Sequence, residues 1–117
     1  MEELFDIIKR SLERCPWLER QSVENLLREL RSEVDEVERA VKSGDVQNLE
    51  EEIGDLVYDV FLVAAVAGRD YGVDLERAIK RVVDKISYRK PWLFWDERIE
   101  LEEAIRIWNQ RKEGKKG

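Results

Sequence analysis

Apolar residues recur along this chain at intervals of three and four, the spacing that puts them on one face of an α-helix. No segment alternates apolar with polar residues, and no hairpin signature divides two β-branched runs. The first periodic segment covers Glu2 to Arg14 and stops at Cys15-Pro16-Trp17, because proline disfavours helix in the residue before it. Ser22 is placed to cap a second helix, whose stripe is Val23, Leu26, Leu27, Leu30, Val34, Val37 and Val41. Ser43-Gly44-Asp45 ends that helix in a short turn. A third helix, with Leu49, Ile53, Leu56, Val60, Val63, Ala64 and Ala67 on its stripe, runs to Tyr71 and stops at Gly72. Asp74 caps a fourth, carrying Leu75, Ala78, Ile79, Val82, Val83 and Ile86, until Pro91 breaks it. The aromatic segment Pro91 to Trp95 reads as a loop, Leu101 to Lys112 as a last helix, and 114–117 as a frayed tail. Short loops between amphipathic helices make neighbours antiparallel. The expectation is an all-α antiparallel helical bundle with a four-helix core and about five helices, one domain over 1–117.

Composition narrows the chemistry. The chain is 43% hydrophobic and 41% charged with a net charge of −6, a balance that disfavours nucleic acid backbone and anionic membrane as partners. A phosphate substrate stays open, since a divalent cation inverts the local sign of a carboxylate site. No stretch has the apolar length of a membrane span, and the acidic start MEELFDIIKR does not read as a signal peptide. The lone Cys15 allows no internal disulfide, so a reducing cytoplasm is expected. There is no histidine, which removes Ser-His and Cys-His nucleophiles and every imidazole-bound zinc site. Heavy Glu, Lys and Arg usage is thermophile-like. Catalysis here has to use carboxylates, Lys, Arg, Tyr, Cys15 or a bound metal.

The most specific pattern lies on the second and third helices. Glu33 and Glu36 form E-x-x-E, and Glu52 and Asp55 form E-x-x-D; residues three apart share a helix face. Glu36 and Glu52 are equidistant from Gly44, as are Glu33 and Asp55, so an antiparallel hairpin sets the two pairs level with each other. At about 1.5 Å of rise per residue, the four carboxylates form a square roughly 12 to 16 Å from the turn. Both pairs sit to the same side of their stripes, about 60° and 120° off centre. The two flanks therefore turn either both toward each other or both away. Convergence would gather negative charge that only cations neutralise, and all-oxygen ligation selects Mg²⁺ or Mn²⁺. Divergence would leave ordinary solvated faces, and spacing alone keeps both readings.

In this order, the motifs resemble the MazG-type nucleoside triphosphate pyrophosphohydrolases. The resemblance rests on Cys15-Pro16-Trp17 with Glu19, Gln21 and Ser22, then Glu33/Glu36 and Glu52-Ile53-Gly54-Asp55-Leu56. It continues with Lys85 and Arg89, the Pro91 to Phe94 segment, and Trp108 with Lys112. The chain departs from the family pattern at Ser32, where a second glutamate is usual, and at Leu18, where Asp is common. It departs again at Lys90 and Trp92, where histidines often stand. Ser32 bears on the number of metals held; the others bear on substrate preference.

The resemblance implies Mg²⁺-dependent hydrolysis of an NTP or dNTP to the monophosphate and pyrophosphate, such as house-cleaning of non-standard nucleotides. It makes Glu33, Glu36, Glu52 and Asp55 the metal ligands, with Glu33 and Glu36 catalytic and Glu36 taking the proton of the attacking water. Lys85 and Arg89 would hold the triphosphate, Trp108 would stack on base or ribose, and Lys112 would lie near a phosphate. Trp17, Trp92 and Trp95 are expected to pack rather than bind, and Cys15 to be a small buried residue. A homodimer or homotetramer is implied as well. Two other readings stand beside this one: a non-enzymatic helical interaction module, and a superfamily relative acting on dUTP, dCTP or phosphoribosyl-ATP.

Overall fold

The computed structural model describes residues 1–114, and among these it contains helices and no strand. The all-α helical-bundle expectation is borne out. The chain divides into two compact units, Met1–Val73 and Asp74–Gly117. Of the expected frayed tail, Gly114 is an exposed turn and 115–117 lie outside the described residues.

The first unit holds α1 (Glu2–Arg14), the single turn α2 (Pro16–Glu19), α3 (Val23–Ser43) and α4 (Val46–Tyr71). Pro16 does more than stop α1. It opens α2, because proline at the first helical position loses no hydrogen bond and is preset in φ. Ser22 caps α3 as expected, accepting from the Asn25 backbone while the Asn25 side chain accepts from the Ser22 N–H at 3.3 Å. α3 ends at Gly44, whose φ of 75° is the left-handed conformation glycine adopts without a Cβ penalty. Asp45 then caps α4, so α3 and α4 form a tight antiparallel hairpin.

The core of this unit is small and lies toward the open end of the hairpin. It contains Ile8, Leu18, Leu26, Leu62 and Val66, with Leu4, Cys15, Val23, Tyr58, Phe61, Val63 and Ala65 packed around it. Phe5 meets Phe61 edge to face at 5.1 Å. Arg69 donates to the carbonyls of Leu18 and Gln21 at 3.1 and 2.6 Å, tying the α2 segment onto α4.

The expected stripes need correction. Val34 and Val41 on α3 are 52% and 59% exposed, and Ile53 and Val60 on α4 are 46% and 47% exposed. The buried line on α4 is instead Leu62 and Val66, with Tyr58 one turn before them. The reason is visible in the sequence of α4. Between Leu56 and Ala67 it is apolar nearly all round, so period alone offers two faces, and the bulkier one packs against α1.

The second unit holds α5 (Leu75–Arg89), a 3-10 turn η1 (Pro91–Phe94) and α6 (Leu101–Glu113). The aromatic segment expected as a loop is thus partly ordered into η1, with Pro91 at its first position. Asp74 caps α5 by accepting from the Arg77 N–H at 3.2 Å. Burial is thin here: α5 has no buried residue and α6 has only Ile107. No helix is long and apolar enough to cross a membrane among the described residues.

Candidate functional site

The corrected faces put acids where a helical seam normally carries apolar residues. On α3, Leu26, Glu33 and Ala40 are spaced by sevens, nearly one line along a helix, and Leu26 and Ala40 are each 2% exposed. On α4, Glu52, Asp59 and Val66 form such a line, and Asp55 and Leu62 form part of another. Along these lines the apolar residues give way to carboxylates, with Glu33, Glu52 and Asp59 half-buried and Asp55 exposed. The flanks turn toward each other.

One carboxylate oxygen from each of Glu33, Glu52 and Asp55 lies within 4.8 Å of the other two. Glu33 is the innermost. Its Oε2 is shut off from solvent and has no hydrogen-bond partner among the described residues. Burial, and then the charges of Asp59, Asp55, Glu52 and Glu36, push its carboxyl above the ordinary glutamate range. A buried acceptor without a donor, facing like charges, is costly in the bare protein. The arrangement fits a hard divalent cation, which supplies the missing positive charge and takes oxygen donors only.

Glu36 stands apart from that group. Its carboxylate pairs with Arg39 one turn along α3 and is 44% exposed. It still adds to the negative field at Glu33. Its place farther round the helix, about 120° from the expected stripe against 60° for Glu33, accounts for the difference.

Asp59 is the residue the motif reading missed. It is half-buried, and burial followed by Glu29 and Asp55 pushes its carboxyl above the usual aspartate range. The signal was present, since Asp59 follows Asp55 by four residues and so shares its face. It went unread because the E-x-x-D motif ends at Asp55.

The other expected site residues lie in the second unit. Lys85 and Arg89 are half-buried on α5, Trp108 is half-buried on α6, and Lys112 is exposed near the α6 end. Arg111 donates to the Tyr88 carbonyl at 2.8 Å and lies over the Tyr88 ring at 4.8 Å. This joins α6 to the last turn of α5, where helix carbonyls lack internal partners. One turn before Arg111, the Trp108 ring takes the Arg89 guanidinium at 5.6 Å and the Lys90 ammonium at 5.5 Å. Trp92 and Trp95 line a hollow of about 480 Å³ with Arg98, Ile99 and Leu101. Trp17 and Trp95 are 51% and 47% exposed, so neither is fully packed away as expected; Cys15 is half-buried against the core.

A helix hairpin that converges carboxylates at its seam defines an all-α protein with an acidic cluster. The chain belongs to the MazG nucleotide pyrophosphohydrolase domain family, whose model matches residues 21–94. It is similar to the nucleoside triphosphate pyrophosphohydrolase of Mycolicibacterium smegmatis, 31% identical over 83% of this chain and 31% of that protein. The Escherichia coli nucleoside triphosphate pyrophosphohydrolase is 29% identical over 84% of this chain and 38% of its own length. This chain thus spans only about a third of the length of such curated relatives. The crystal structure of a mazG-related protein from Thermotoga maritima is 65% identical, with a TM-score of 0.95 over 97% of this chain and 99% of that one.

Proposed function

We propose that this protein is a divalent-metal-dependent pyrophosphohydrolase that converts a nucleoside triphosphate, NTP or dNTP, to the monophosphate and pyrophosphate. The observation that carries the reading is the carboxylate cluster at seam positions, with its orphaned Glu33 oxygen. Crowded like charges with one oxygen shut off from solvent disfavour a fold unless a ligand compensates them. Glu33, Glu52 and Asp55 would hold Mg²⁺ or Mn²⁺, and Glu36, now paired with Arg39, would complete the ligand set. A bound divalent cation supplies Lewis-acid polarisation of a phosphoryl oxygen and neutralises charge.

The chain's own groups do the rest. Glu36, reached from solvent, accepts the proton of the water that attacks the α-phosphorus. Attack there breaks the bond to the bridging oxygen and releases pyrophosphate. Lys85, Arg89 and Lys112 supply positive charge for the phosphate oxygens, arginine being suited to bidentate contact. The family match crosses from the first unit into the second, which supports both working as one domain over 1–117. The exposed Val34, Val41, Ile53 and Val60 leave apolar stripes on both hairpin helices uncovered, which supports a homodimer or homotetramer. A reducing cytoplasm suits the free Cys15.

The test is a panel of NTPs and dNTPs with Mg²⁺, with products separated by chromatography. The expected result is monophosphate and pyrophosphate with no transient diphosphate. Diphosphate and inorganic phosphate as first products would place the protein in another reaction class.

A further inference from the structure

Arg89 and Lys90 are two cations gathered at one indole in a chain with 27 Asp and Glu residues. Some cations here are paired along their own helix: Arg10 with Asp6, Arg39 with Glu36, Lys80 with Asp84, Arg106 with Glu103. The side chains of Arg89 and Lys90 meet no carboxylate within ion-pair distance among the described residues. They meet the Trp108 ring instead. Two like charges drawn to one indole repel each other, and the π face compensates only part of that. In addition, the Arg89 Nε is shut off from solvent with no acceptor among the described residues. A buried donor without a partner costs free energy in the same way as an orphaned acceptor.

Trp108 is also held in place independently of any ligand. Arg111, three residues on, is fastened to the Tyr88 carbonyl, next to Arg89 in the chain. The indole is thus fixed against the end of α5, where Arg89 closes the helix and Lys90 follows it. A nucleobase seeking this indole competes with two cations already at the ring.

The geometry points to Trp108 as a positioning residue that holds Arg89 and Lys90 together as a clamp for the polyphosphate of the substrate, rather than as a platform for its base. The clamp combines a planar guanidinium fork with a compact ammonium, two complementary ways of meeting phosphate oxygens. It adds Lys90 to the substrate-binding set. It rests on the reading of the substrate as a nucleoside triphosphate, and it reassigns Trp108 from nucleoside to phosphate recognition.

Inorganic tripolyphosphate carries the phosphates and no base, so it separates the two roles. Its binding to the full chain is measured by calorimetry without divalent cations, for the wild type and for Trp108→Phe, Trp108→Leu and Lys90→Met. KM and kcat are measured in parallel for a purine and a pyrimidine triphosphate. Trp108→Leu and Lys90→Met should each weaken tripolyphosphate about three- to thirtyfold, the scale of a cation–π or charged contact. Both should raise KM by similar factors for the two bases, with kcat changed less, and Trp108→Phe should restore most of the loss. Lys90→Met keeps the aliphatic stem, so it decides the matter if Trp108→Leu does not fold. Unchanged tripolyphosphate affinity in Lys90→Met, or in a folded Trp108→Leu whose base discrimination narrows, would overturn the clamp. Tryptophan-dependent tripolyphosphate binding in a wild type that hydrolyses no nucleotide would uphold the clamp and overturn the proposed reaction.

Discussion

The two units carry opposite charge. Residues 1–73 hold nine Lys and Arg against eighteen Asp and Glu, while residues 74–117 hold twelve against nine, net −9 and +3. Each sets charge where its fold gives it no local partner. In the first unit, carboxylates occupy the seam of a helix hairpin and one oxygen is left without a donor. In the second, two cations lie on an indole and one N–H is left without an acceptor. Carboxylates so placed suit a hard cation, and cations so placed suit an anion. The overall charge of −6 hides this division.

The contrast is broken most severely in the acidic unit. Glu52→Gln or Asp55→Asn should reduce turnover on the order of a hundred- to a thousandfold, the cost of losing one preorganised electrostatic contact. Circular dichroism should show the helices intact. Near-wild-type activity in both variants would remove the carboxylates from the mechanism.

A smaller effect is expected in the basic unit. Arg89→Ala should lower kcat/KM by roughly ten- to a hundredfold, or about 1.5 to 3 kcal/mol for a charged hydrogen bond. Affinity for Mn²⁺ should stay the same. Joint loss of metal binding and catalysis would mean that the two kinds of charge do not act separately.

The smallest effect concerns stability without metal. The carboxyls of Glu33 and Asp59 titrate above their ordinary ranges in the folded chain. The native state therefore binds their protons more tightly than the unfolded chain does. Their contribution is fully present below the unfolded values, about 4, and is lost as pH rises through the folded ones. Asp70, Asp74 and Glu103 are held low by Arg69, by the Arg77 backbone and by Arg106, so their contribution is already complete above about pH 5. In EDTA, the melting temperature should fall from about pH 5 toward neutrality, by a few degrees at this chain length. Mg²⁺ should flatten the slope, and Glu33→Gln should reduce it while raising the metal-free melting temperature. A melting temperature that climbs over this range would contradict the raised carboxyls.

Much of the fold was legible, since caps and stops are local chemistry. Ser22, Gly44, Gly72 and Asp74 mark ends that the structure confirms. The buried face of α4 was not legible, because an element apolar nearly all round does not say which neighbour will cover which side. The same ambiguity left the direction of the acidic flanks open. The sevenfold spacing of Leu26, Glu33 and Ala40 would have settled it, once the two apolar members were known to be buried. Asp59 lay on the right face but outside the motif. The Trp108 environment depends on side-chain placement at the α5 end, which no periodicity encodes.

The proposed function requires the seam carboxylates to gather around a cation. Titrating Mn²⁺ into the full chain by calorimetry, for the wild type, Asp55→Asn and Arg89→Ala, addresses that most directly. The expected result is saturable binding in the wild type, unchanged in Arg89→Ala and weakened at least about tenfold in Asp55→Asn. Absence of binding to the wild type, or equal binding to Asp55→Asn, would contradict the account at its centre.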